Sequence, residues 1–113
     1  MWSGARAPNL RRMQPSYGVV WREGTLPLAS GKLELRADAL RLDGMAGGRP
    51  VSRELAYDSL VTVRVGRSTA ERIGGRPSLV LERRTGLPIA IASVSQPGVV
   101  AELAERLADT ASR

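Results

Sequence analysis

Short segments in which apolar and polar residues alternate run through most of the chain and predict β-strands. Leu33 and Leu35 alternate with charged residues, and Leu40 and Leu42 do the same after a short turn. Because successive side chains of a strand point to opposite faces, this alternation is typical of a hairpin with one buried face. Comparable patterns predict further strands within residues 18–23, 51–57, 60–65, 79–82 and 87–92.

The connections between these strands differ in length. We expect residues 44–50 to form a flexible loop and residues 66–77 to form the longest internal loop, because both are rich in glycine and end in proline. Two strands are predicted between these loops. In the second, at residues 60–65, Val61, Val63 and Val65 are spaced by two and are predicted to share one face.

The period of the apolar residues changes near the end of the chain. Val99, Leu103 and Leu107 are spaced by four, which predicts a helix with one apolar face. Because so short a helix is only marginally stable alone, we expect this face to pack on a sheet. The predicted fold class is therefore mainly β with one C-terminal α-helix, a seven-stranded antiparallel bent sheet or barrel capped by the helix.

The chain of 113 residues is long enough for one domain with its own core. Residues 17–110 carry the periodic pattern and form the predicted domain, whereas residues 1–16 lack any period and are expected to be a disordered or mobile tail. No apolar run approaches the ~20 residues of a membrane helix, and no apolar segment follows the first arginines as in a signal peptide. The predicted location is the cytoplasm.

The amino-acid composition limits the kinds of catalytic and metal site that the chain can form. The chain contains no cysteine and no histidine, which excludes disulfides, thiolate metal sites and every mechanism that needs an imidazole. The carboxylates lie scattered at polar positions of the alternating strands, so nothing gathers two of them into one pocket. We therefore predict no catalytic residues, no metal and no cofactor, and a protein that is not an enzyme.

The formal net charge is +6, and nearly all of the positive residues are arginine. The tetrapeptide Gly-Gly-Arg-Pro occurs twice, at residues 47–50 and 74–77. Consecutive glycines can turn backbone amides toward an anion, while the alternative is repeated turn chemistry before a strand. On the first interpretation the candidate anion-binding residues are Arg49, Arg53, Arg72 and Arg76.

The candidate partner-binding residues lie on the first strand. Trp21 is its one large side chain, with Tyr17 and Arg22 nearby. We expect this strand to be a sheet edge, because it follows the tail and ends near Gly24 and Pro27. Trp21 would then anchor a partner. The same three residues are the one candidate platform for stacking on nucleic acid.

The order and spacing of these apolar positions resemble a pleckstrin-homology-like domain, of the small bacterial and GRAM type. The resemblance covers residues 18–108, although the helix lacks the tryptophan that eukaryotic members usually carry and the basic residues of the first hairpin do not match the phosphoinositide-binding spacing. It implies a scaffold that binds lipids, peptides or proteins and is very rarely an enzyme. The residues that carry it are Leu33, Leu35, Leu40, Leu42, Leu55, Tyr57, Asp58, Leu60, Leu79, Leu81, Ile89, Ile91, Leu103 and Leu107.

The predicted function is a non-enzymatic interaction module that engages a protein or peptide through a sheet edge or the groove beside the helix. The alternatives are a small basic barrel that binds nucleic acid and a module that binds anionic lipid at a membrane surface. A homo-oligomer is a further candidate assembly.

Overall fold

The computed structural model describes residues 16–94 and 98–111, and it describes no side chain at positions 110 and 111. The predicted tail therefore lies outside the described residues, except for Ser16, which is the first residue of a strand. The elements in chain order are β1 (Ser16–Glu23), β2 (Ala29–Leu35), β3 (Ala39–Ala46), β4 (Arg49–Ala56), β5 (Leu60–Gly66), β6 (Ser78–Arg83), β7 (Ile89–Ser93) and α1 (Val99–Ala111), with 3₁₀ turns at Tyr57–Ser59 and Thr69–Glu71.

All seven strands belong to one antiparallel sheet, in the order β4-β3-β2-β1-β7-β6-β5. The sheet curls into a half-barrel, and its concave face holds the core, so the predicted fold class is confirmed. The prediction that β1 is an edge strand is wrong. β1 pairs with β2 along one side and with β7 along the other, and the two edges are β4 and β5.

A pair of glycines accommodates a close approach between β2 and β3. Gly31 lies directly opposite Gly44. A Cβ atom added at Gly31 would lie 2.0 Å from the carbonyl oxygen of Asp43, and one added at Gly44 would lie 2.1 Å from the carbonyl oxygen of Ser30. Only a residue without a Cβ atom fits at either position, as is typical of a tight bend in a curled sheet.

The helix α1 covers the concave face beside β5, β6 and β7 and reaches the 3₁₀ turn Tyr57–Ser59. Leu103 is fully buried at the centre of its apolar stripe. Tyr57 is also buried, and its hydroxyl donates a hydrogen bond of 2.6 Å to the carbonyl oxygen of Arg36. The core joins inward side chains of all the strands to the helix stripe Val99, Val100, Leu103 and Leu107.

Two of the predicted connections differ from the structure. Residues 44–50 are not a flexible loop, because β3 and β4 continue to a tight turn at Gly47 and Gly48, whose φ angles are +58° and +81°. A two-residue turn with two positive φ angles matches the twist of a hairpin. The last strand begins at Ile89 and not at Leu87, which is exposed in the preceding loop.

A β-bulge changes the faces of β5. The register with β6 shifts between Leu60 and Thr62, so that Val61 is left out of the pairing. Leu60 therefore takes the inward position, while Val61 is 63% exposed. Val63 and Val65 pack against the core, so the prediction that Val61 shares their face is wrong.

Leu103→Ala is expected to lower the free energy of unfolding by roughly 2–5 kcal/mol, because it removes a fully buried side chain from the contact between α1 and the sheet. Urea unfolding of the two proteins measures the difference. A loss below about 0.5 kcal/mol, the level of a surface substitution, would contradict the packing of this helix.

Candidate functional site

The two edges of the sheet differ in how well they are protected against pairing with another strand. β4 carries Pro50, which cannot donate a backbone hydrogen bond, together with the charged residues Arg49, Arg53 and Glu54. Proline and charge are the common devices that keep an edge strand from accepting a further strand. β4 is therefore a protected edge.

The β5 edge has fewer such devices. Leu60–Gly66 contains no proline, and its one charged residue is Arg64. Nη2 of Arg64 lies 2.6 Å from Oε2 of Glu71, so the charge is compensated within the domain. The hydrogen bond from Arg64, with further bonds from Ser68, holds the pKa of Glu71 below its ordinary value and keeps the carboxylate ionised. The bulge at Val61 is the one protective feature, and it also leaves an exposed apolar side chain.

The helix presents small residues toward this edge. The hydroxyl of Tyr17 on β1 donates a 3.3 Å hydrogen bond to Glu102, so the flank of α1 that carries Glu102 faces the β1 side. At 3.6 residues per turn, the opposite flank of the helix carries alanines. That flank therefore faces the β5 side, and we call the surface between it and the β5 edge the β5–α1 groove. Its helix residues are Ala104, which is partly buried against the core, and the exposed Ala108.

A cluster of charges lies at the end of the half-barrel where β1 and β6 finish. The carboxylate of Glu23 on β1 accepts a hydrogen bond of 2.7 Å from Arg53 on β4 and one of 2.9 Å from Arg83 at the end of β6. We call these three residues the Glu23 cluster. Burial raises the pKa of Glu23, but the hydrogen bonds and charges of both arginines outweigh this effect, so the pKa lies below its ordinary value of 4.5. The cluster ties the two halves of the curled sheet together.

Exposed leucines lie on two neighbouring loops at the same end. Leu26 and Leu28 follow β1, and Leu87 precedes β7; each is about half exposed. The loops are adjacent, because the amide of Gly24 donates a hydrogen bond of 2.8 Å to the carbonyl oxygen of Pro88. We call these three leucines the loop leucines. Arginines of the Glu23 cluster lie close to them, since the guanidinium of Arg83 donates two hydrogen bonds to the carbonyl oxygen of Leu87.

The predicted partner-binding residues do not form one surface. Trp21 is 3% exposed and belongs to the core, because β1 lies inside the sheet and the inward face of its C-terminal half is covered. The prediction that Trp21 anchors a partner is therefore wrong, and the predicted platform for base stacking loses its main aromatic. Tyr17 is half-buried against the core. Arg22 lies on the opposite, convex face, in a shallow depression with Val80 and Glu82.

The predicted anion-binding arginines are mostly engaged within the domain. Arg53 pairs with Glu23. Arg72 donates hydrogen bonds to the carbonyl oxygens of Arg67 and Gly75, and Arg76 donates one of 2.7 Å to Ser93. Arg49 is exposed beside the turn between β3 and β4. The structure does not turn these residues into one basic rim.

Both Gly-Gly-Arg-Pro segments form turns. Gly74 and Gly75 have φ angles of +59° and +79°, nearly those of Gly47 and Gly48, and the residues that flank them form a bridge between Ile73 and Arg76. Open space surrounds all four glycines, so it is the backbone conformation that requires glycine at these positions. Turn chemistry accounts for the repeat.

Residues 16–94 and 98–111 present neither a cluster of metal-ligating side chains nor a helix fit to span a membrane. No group of three or more acidic side chains in this part of the chain is placed to hold a metal ion. Within the same residues, no helix has the length and apolar character that crossing a membrane requires.

Sequence reasoning did not find the β5–α1 groove or the Glu23 cluster. Alternation alone puts Glu23 on the face of Val19 and Trp21, and Arg53 on the face of Leu55, so the sequence contains a signal that these charges point inward. Their contact depends on the curl of the sheet, because β2 and β3 separate β1 from β4 in the strand order.

Comparisons with known proteins bear on the fold alone. No family model matches the chain, and no curated protein matches it. A solved structure described as the C-terminal domain of an unknown protein from Leishmania infantum is similar, with a TM-score of 0.59 and 14% sequence identity over 89% of this chain and 90% of that chain. At this identity the similarity supports the arrangement of strands and helix, not an activity.

Glu23→Gln is expected to lower the free energy of unfolding by roughly 1–2 kcal/mol at neutral pH, because it weakens two charge-assisted hydrogen bonds. A carboxylate whose pKa is lowered by folding stabilises the native state above its unfolded pKa. The difference between the two proteins should therefore persist above pH 4.5 and shrink as the pH falls below it. Urea unfolding at a series of pH values measures it.

Glu54→Gln is the matched control, because the side chain of Glu54 is 55% exposed and pairs with Arg41 at 3.4 Å. We expect a change within about 0.5 kcal/mol. An equal effect of the two substitutions at every pH would contradict a special role for the Glu23 cluster.

Proposed function

We propose that this protein is a non-enzymatic interaction module that accepts an extended peptide segment of a protein partner at the edge of β5. The observation that carries the proposal is the contrast between the two edges. β4 is blocked by Pro50 and by charge, while β5 presents exposed Val61 and a charge already compensated by Glu71. A free edge adds a strand through its backbone N–H and C=O groups.

A pleckstrin-homology-like scaffold is part of this proposal. Its support is the strand order, in which β1 joins the two halves of the sheet, and the helix that follows the last strand. The structure from Leishmania infantum is described as that of an unknown protein and so adds nothing about partners.

The partner segment would lie antiparallel or parallel to β5 with its side chains alternating between two surroundings. On the inner side it would meet Val63, Val65 and the alanine flank of α1. Apolar side chains of the segment would contact the helix there. On the outer side it would meet Thr62 and Arg64. A peptide with alternating apolar and polar residues fits this arrangement.

The remaining predictions stay proposals. The absence of catalytic activity rests on the missing cysteine and histidine and on carboxylates that pair with arginines at the surface. The cytoplasmic location rests on the sequence pattern.

Val61→Lys tests the β5 edge, because it puts a charge on an exposed position without touching the core. Peptides selected from a random library for binding to the domain should shift the NMR signals of β5 amides and of the alanine flank. Val61→Lys should weaken their binding by about 1 kcal/mol or more. Val94→Lys is the control, since Val94 is also about half exposed and follows β7. Shifts centred on β4, with β5 unchanged, would contradict the proposal.

The loop leucines favour a second candidate function, association with an anionic membrane surface. Leu26, Leu28 and Leu87 are exposed on adjacent loops, and Arg84 is exposed on the same loop as Leu87. Apolar side chains that enter the lipid boundary and arginines that attract anionic headgroups together bind a membrane surface.

Co-sedimentation with phosphatidylcholine vesicles, with and without phosphatidylserine, tests this candidate. Replacing Leu26 and Leu28 by serine should weaken binding to the anionic vesicles by about tenfold, because two half-exposed leucines lose their transfer to the lipid. Val61→Ser removes a still more exposed apolar side chain on β5 and should leave the binding unchanged. This use of the loops would be ruled out if binding did not depend on phosphatidylserine. It would also be ruled out if the leucine substitutions and Val61→Ser reduced binding equally.

A further inference from the structure

We propose that the strand added at β5 is β5 of a second copy of this chain, so that two domains form a symmetric dimer through one continuous sheet. The proposal rests on the proposed function, because it uses the same edge, and it identifies the partner. A closed two-fold dimer is the commonest assembly for a surface that is complementary to itself.

The sequence of β5 fits its own edge in one register. An antiparallel pair of identical strands has a two-fold axis through one pair of residues. With the axis at Val63, the partner's Val63 lies directly opposite and the partner's Arg64 faces Thr62, while Val61 lies at the bulge, outside the regular part of the pairing. Pairs of β-branched side chains across two strands stabilise a sheet.

Charge favours the register with the axis at Val63 over the register with the axis at Arg64. An axis at Arg64 would put two guanidinium groups directly opposite each other, which destabilises a strand pair. With the axis at Val63, each Arg64 faces a threonine and keeps its contact of 2.6 Å with Glu71 of its own chain. The formal net charge of the chain is +6, but the edge itself carries a compensated pair, so two copies can approach there.

The helices are compatible with the same symmetry. A two-fold axis perpendicular to the sheet at Val63 keeps both copies of α1 on one face, with their alanine flanks turned toward each other across the axis. Ala104 and Ala108 are small, so they add little bulk where the two flanks face each other. The flank on the other side carries Glu102 and is engaged by Tyr17. The β4 edge offers no equivalent, because Pro50 and its charges interrupt it.

Sedimentation velocity of the full chain over a wide concentration range tests the dimer. We expect a monomer–dimer equilibrium whose dissociation constant rises by at least about tenfold in Val61→Lys, which brings two added positive charges to the interface. Val94→Lys adds the same charge away from β5 and should leave the constant unchanged.

Cysteine cross-linking tests the register, since the chain has no native cysteine. Opposite residues of an antiparallel pair lie about 4.5–5.5 Å apart between Cα atoms, which a disulfide can span. Val63→Cys should therefore form a covalent dimer on mild oxidation, and Ser52→Cys on β4 should not. If Val63→Cys lowers stability, the double variant Thr62→Cys, Arg64→Cys tests the same register with outward side chains.

A wild-type chain that stays monomeric throughout overturns the dimer. If that monomer still binds selected peptides at β5, the proposed function stands; if it binds none there, both proposals fail. A dimer that is unaffected by Val61→Lys, or that cross-links through Ser52→Cys and not through Val63→Cys, also overturns the proposal, because its interface lies elsewhere.

Discussion

The close approach of β2 and β3 at Gly31 and Gly44 is the constraint on which the rest of the structure depends. A Cβ atom at either position would lie about 2 Å from a backbone oxygen of the other strand, so the sheet keeps its bend only with glycine there. The curl gives the sheet a concave face deep enough to hold a core that α1 completes. It also brings Arg53 of β4 to Glu23 of β1, although two strands lie between them in the sheet.

A single curled sheet that does not close has two edge strands. The functional proposals follow from the difference in how well these two edges are protected against the addition of another strand. β4 carries proline and charge, while β5 carries a bulge, an exposed valine and an arginine held by Glu71. Because backbone groups at a free edge remain available, a strand can add at β5 with little rearrangement of the domain. The alanine flank of α1 places small side chains on the β5 side of the helix, whether the incoming strand belongs to another protein or to a second copy.

Local patterns in the sequence predict the strands and the helix well, but they do not predict which strands pair with each other in the sheet. The alternation of Leu33, Leu35, Leu40 and Leu42 and the four-residue spacing from Val99 to Leu107 predict buried faces that the structure confirms. The same reasoning misplaced Trp21, since the position of β1 in the sheet depends on long-range pairing with β7, which no local pattern encodes. It also put Val61 inward, because a bulge changes the face of one residue without a residue type that marks it.

Backbone hydrogen exchange of the dilute protein, followed by NMR, tests most directly the claim that β5 and not β1 is the accessible edge. The account predicts slow exchange at residues 19–23 of β1, which pair on one side or both with β2 and β7, and fast exchange at alternate amides of β5, which pair only with β6. Those fast amides should become protected when a strand adds at the edge. Uniform protection along β5 in the dilute protein, or fast exchange in the middle of β1, would contradict the account.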